Sequence, residues 1–76
     1  MDNSYIEILR SMQEQQYREI DSSAIVTVES GLVDYDNNET IKEYKSKGYK
    51  LFDSNRFGKG LEPIGEFLVF VKDKNE

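Results

Sequence analysis

Five apolar residues stand in a row near the end of the chain, Phe67-Leu68-Val69-Phe70-Val71. Aromatic and β-branched side chains mark the run as a strand. A strand with one wet face alternates apolar and polar residues, because successive side chains point to opposite sides. This run does not alternate, so both of its faces need cover. In a chain of 76 residues that demand leaves few architectures.

Two other segments read as strands, Ala24–Val28 and Tyr49–Phe52, each bounded by Ser or Gly or by polar residues. Sorted by side, Val26, Val28, Tyr49, Leu51, Phe67, Val69 and Val71 form one set. Ile25, Thr27, Phe52, Leu68 and Phe70 form the other. Either two helices cover one face each, or both lie on one side and the second set buries against another chain. We expect the second, with Ile25, Phe52, Leu68 and Phe70 meeting a further copy, since a bare apolar face of that size does not persist in water.

Ser4 and Glu7 have the spacing of a capping box and predict a helix over 4–20. At 100° per residue Tyr5, Ile8, Leu9, Met12 and Ile20 share one face, with Ile6 and Tyr17 at its edge. Glu7, Arg10, Glu14, Arg18 and Asp21 take the opposite side. Gln16 interrupts the apolar stripe, with Gln13 beside Ile20. Two readings stand: the helix end overhangs the core, or Met12 and Gln16 belong to a helix-mediated self-association contact in which the amide fixes register.

A second capping signature, Asp36 with Glu39, opens a short helix over about 38–47 that Gly48 closes as a left-handed cap. The expected product is one α+β domain over residues 1–76. An N-terminal amphipathic helix precedes a β-α-β-β unit over 24–72, with a small, mostly antiparallel three-stranded sheet, and 73–76 form a polar tail.

A domain this short buries only about 60% of the surface its unfolded chain exposes. Its core supplies roughly 3–5 kcal/mol net. Without Cys there is no disulfide to reinforce it. Packing or self-association must serve instead, and a homo-oligomer is expected.

The chemistry is narrowed by the same omissions. With neither Cys nor His, thiol catalysis, Ser-His-Asp triads and His-ligated metal sites are ruled out. No cofactor and no metal are expected, and catalysis is not. Asp34-Tyr35-Asp36-Asn37-Asn38 opens like a calcium loop, but Glu39 and Lys45 stand where such a loop needs Gly and a bidentate Glu. A formal charge of −5 disfavours general nucleic-acid binding and favours a protein partner with a basic surface, met by Glu7 and Glu14 of the first helix. No segment approaches a membrane span, and the polar start Met1-Asp2-Asn3-Ser4 is unlike a signal peptide, so a cytoplasmic protein is expected.

Residues 55–64, Asn-Arg-Phe-Gly-Lys-Gly-Leu-Glu-Pro-Ile, read as a long connector between the last two strands. Arg56, Phe57 and Lys59, with Tyr49, are the side chains that would hold the phosphates and base of a small nucleotide.

Ile41 and Tyr44, then Gly48-Tyr49-Lys50-Leu51, then Phe67-Leu68-Val69-Phe70-Val71-Lys72 resemble a scattered family of small bacterial and phage domains of unknown function, number 4177. The likeness spans about residues 24–72. The chain departs from it with Tyr49 where Trp is usual and with an added N-terminal helix. The resemblance implies a β-α-β-β architecture and no catalytic residues. The Lys-, Asn-, Ile- and Tyr-leaning vocabulary also resembles that of low-GC bacteria and their phages, whose very small acidic proteins often look like inhibitors of host machinery. The expected function is therefore a non-enzymatic, phage-type accessory protein that binds and blocks a host factor in the host cytoplasm. The alternative is a homo-oligomer that sequesters a nucleotide-like ligand between subunits.

Overall fold

The computed structural model describes residues 3–74. Its elements are α1 (Asn3–Arg18), β1 (Ile25–Ser30), α2 (Glu39–Ser46), β2 (Tyr49–Lys59) and β3 (Glu62–Lys72). The three strands make one antiparallel sheet in the order β1-β3-β2, so the architecture is α+β as expected. Of the expected tail, residues 75 and 76 lie outside the described residues.

The doubly apolar run takes the central position. Every residue from Gly65 to Val71 is buried. Val69 and Phe67 face one side, joined by Val26 and packed beneath Ile6, Leu9 and Tyr17 of α1. Leu68 and Phe70 face the other side, packed beneath Ile41 and Tyr44 of α2. Tyr44 stacks on Phe70 with centroids 4.4 Å apart and planes 13° from parallel.

One helix per face corrects the expected self-association surface. Leu68 and Phe70 are wholly buried within the chain. Ile25 is half-buried opposite Phe70. The sorting of β2 is also corrected, because Tyr49 pairs with Lys72 and Leu51 with Phe70, which places both under α2. A one-residue change of register moves every side chain to the other face. Phe52 is the extra residue at a bulge between Leu51 and Asp53 and turns to the α1 side, its ring edge-on to Tyr17 at 6.2 Å.

Residues 55–64 are not a connector. β2 and β3 run on as a two-stranded arm to the pair Lys59–Glu62, leaving Gly60-Leu61 as a two-residue turn. Gly60, at φ 63°, takes the first central position, as a type II′ turn requires. Gly58 and Pro63, pair partners, had disguised the arm, since both residues are depleted in strands. Pro63 is tolerated because β1 ends at the pair Ser30–Gly65, leaving the arm free on that edge. Gly65 lies under the Phe57 ring, where a Cβ would overlap the ring and come within 2.6 Å of the Glu29 carbonyl oxygen.

The caps shift by small steps. α1 starts at Asn3, so Ser4 lies inside it. Asn38 caps α2, its side-chain oxygen accepting from the Ile41 N–H at 2.9 Å. Asp36 is not the cap; Asp34 holds that turn, accepting from the Asp36 N–H at 3.1 Å and the Asn37 amide at 3.0 Å. Those bonds, the Asn37 one foremost, hold the Asp34 carboxyl below its ordinary value. Gly48 takes the left-handed conformation after α2, φ 88°.

Candidate functional site

The rotation of α1 about its axis defines the site. The expected helix would turn its charged face to water. Instead that face is turned to β1. Glu14 accepts from the Val26 N–H and Arg10 donates to the Val26 carbonyl, both at 3.0 Å. Arg18 donates to the Ala24 carbonyl at 3.1 Å. Glu14 also lies 3.0 Å from the Arg10 guanidinium and 3.1 Å from that of Arg18. At the start of the outer edge of β1, where free groups would otherwise invite another strand, these side chains cap Val26 and the preceding Ala24 carbonyl.

The same rotation puts part of the apolar stripe into water. Ile6, Leu9 and Tyr17 meet the sheet, whereas Tyr5, Ile8 and Met12 are 60, 56 and 55% exposed. The Glu14 side chain, by contrast, is 15% exposed. A carboxylate more buried than its neighbouring Ile and Met inverts the usual order of residue burial.

α1 rests mainly on β1 and only lightly on β3, so the β2 side of this sheet face is open. A groove of about 520 Å³ lies there, lined by Gln13, Gln16, Tyr17, Ile20, Asp53 and Asn55. Its floor is a polar cluster. Tyr17 donates to Asp53 at 2.5 Å, and Asn55 donates to the Tyr17 oxygen at 3.0 Å and to Gln13 at 3.1 Å. A smaller hollow of about 260 Å³ continues toward the arm between Tyr5, Leu9, Phe57 and Ile64.

Burial first, then the bond to Asp53, raises the Tyr17 phenol above its ordinary value near 10. The neutral phenol is the form the fold favours. The stability it contributes is therefore present below the unfolded pKa and lost as pH rises through the folded one. In an alkaline titration followed by tyrosinate absorbance, Tyr17→Phe should remove a component that ionises above the ordinary tyrosine value. A late component retained in the variant would assign it elsewhere.

The side chains expected to bind a nucleotide are not brought together. Arg56 and Phe57 are successive strand residues and therefore point to opposite faces. Arg56 reaches Glu66 at 3.4 Å, while Phe57 packs on Phe67 at 4.7 Å. Lys59 is exposed at the far end of the arm. Tyr49 stands at the other end of β2, edge-on to Tyr44 and 5.0 Å from the Lys72 ammonium. Glu14, expected to meet a basic partner, is committed to Arg10, Arg18 and Val26. Glu7 is exposed but paired with Arg10 at 2.7 Å, and that hydrogen bond foremost lowers its pKa.

Met12 and Gln16 do share the exposed face of α1, and Phe52 is exposed across the groove. Tyr5, Ile8 and Ile20 join the exposed surface unannounced, because all of the stripe that predicted a core face except Leu9 is left in water.

Among the described residues no cluster of Asp and Glu could hold a metal ion, and no helix is long and apolar enough to cross a membrane. Comparison with protein-family models, curated proteins and solved structures finds no match to the chain.

Proposed function

We propose that this domain is a non-catalytic accessory protein that acts by docking another polypeptide on the α1–β2 side and thereby blocking it. The observation that carries the reading is the inverted helix. α1 keeps Arg10 and Glu14 against β1 while Tyr5, Ile8 and Met12 stand in water. Large apolar side chains grouped along one helix, beside an open groove, are the usual mark of a protein-binding surface. Local rules broken at one place in an otherwise consistent fold point to function at that place.

Replacing both Ile8 and Met12 by Asp tests it. Both side chains are more than half exposed, so thermal unfolding of the domain should change little. A polypeptide retained by the wild-type domain should be lost by the variant. Identical retention by the two proteins, self-association included, would sink the reading.

A further inference from the structure

We infer that the outer edge of β2 takes up an extended, acidic segment of the docked polypeptide as a fourth strand of the sheet. The inference rests on the docking role just proposed and names how the partner is held.

The two edges of the sheet differ. On the β1 side, Arg10, Glu14 and Arg18 cap the backbone at Ala24 and Val26. β2 forms the other edge and pairs with β3 alone. Its residues Asp53–Phe57 are an unbroken stretch of ladder, five residues between two bulges. Among the described residues, the one group that bonds the backbone of this stretch from outside the ladder is the Asp53 carboxylate. It accepts from the Ser54 N–H at 2.9 Å. At about 3.3 Å per residue the stretch offers roughly 17 Å of edge, the length of an ordinary strand. Backbone groups left open in such a row are a template for an added strand.

Charge selects what is added. The chain carries a formal −5, yet β2 holds Lys50, Arg56 and Lys59 against Asp53 alone. All three cations are exposed, and Lys72, exposed opposite Tyr49, adds a fourth at the start of the strand. Asp53 is already engaged by Tyr17 and Ser54. Of the acids on β3, Glu66 is buried beside Arg56 and Glu62 lies opposite Lys59. Among the described residues no carboxylate pairs with Lys50. Charges act over only about 8 Å at physiological salt, so this local excess outweighs the net charge of the chain. A second copy pairing β2 with β2 would set the same cations against themselves. An extended segment bearing Asp or Glu meets them with opposite charge.

The position of the edge ties it to the docking side. Side chains of an added strand alternate between the two faces of the sheet. Those on the α1 face would stand beside Phe52, exposed there, and the groove lined by Tyr17 and Ile20.

A capped peptide of alternating valine and glutamate is the probe, and one of alternating valine and lysine is its control. Amide exchange of the full chain should slow within Asp53–Phe57 when the glutamate peptide is added, and not with the lysine peptide. Lys50→Glu combined with Lys59→Glu should weaken binding of the glutamate peptide about tenfold. Both lysines are exposed, so thermal unfolding of the domain should change little. Equal protection by the two peptides overturns the acidic preference, and no protection by either overturns strand addition. Protection that grows with concentration in the protein alone assigns the edge to a second copy and overturns the inference. The docking role is read separately. If Ile8→Asp, Met12→Asp still loses a captured polypeptide while neither peptide protects β2, that role stands without strand addition.

Discussion

Phe70→Ala is expected to leave the domain largely unfolded. Truncating a fully buried Phe costs about 3–5 kcal/mol. That matches the whole net stability, roughly 3–5 kcal/mol, available to a core of this size. Phe70 is wholly buried, stacked on Tyr44 and paired across the sheet with both Ile25 and Leu51. Its loss opens a cavity that α2 closes only by leaving Leu68 and Ile41 unsupported. Phe52→Ala is the companion measurement. Phe52 is 46% exposed at the bulge, and its main contact is the edge-on ring of Tyr17. Its truncation should cost on the order of 1 kcal/mol. Far-ultraviolet circular dichroism with urea unfolding separates the two. Equal losses would mean that Phe52 and Phe70 share one environment, as an uncovered second sheet face would require.

Glu14→Ala should lower stability by about 1–3 kcal/mol, a large effect for a side chain on a helix surface. Three partners lose their anion or acceptor together: the Arg10 and Arg18 guanidiniums and the Val26 N–H. Exposed ion pairs are worth little. Here the Glu14 side chain is only 15% exposed, and the Val26 N–H has its bond to that carboxylate. Exchange of the Val26 amide should accelerate well beyond that of its neighbours, and Glu14→Gln, which keeps an acceptor, should restore part of its protection. An unchanged Val26 exchange rate in Glu14→Ala would show that the carboxylate does not cap the β1 edge. It would also remove the reason why α1 turns its apolar stripe outward.

Much of the fold was legible because it rests on local pattern. Gly48 after Lys45 and Lys47 ended α2, and the Asx-rich stretch 34–38 made a turn and a cap, shifted from Asp36 to Asn38. Elsewhere one pattern suited two structures. Asn55 to Ile64 carries Gly, Pro and scattered charge, which describe a loop and equally a thin two-stranded arm. Only the pairing of Gly58 with Pro63 decides between them. The candidate nucleotide residues failed for the same reason, since a loop could have gathered Arg56, Phe57 and Lys59 and a strand cannot.

By itself the sequence determined that Phe67–Val71 is a strand needing cover on both faces, because five consecutive apolar side chains admit no wet face; its central place in the sheet came from the pairing. The sequence also determined the order of helices and strands. Which helix covers which face, the register of β2 on β3, and the rotation of α1 were decided by tertiary structure alone. α1 offers two overlapping apolar faces, Ile6-Leu9-Tyr17 and Tyr5-Ile8-Met12, that periodicity cannot rank. What ranks them is distant in sequence: Val26 on the free edge of β1, with the Ala24 carbonyl just before the strand, draws Arg10, Glu14 and Arg18 to itself, and the helix turns to follow.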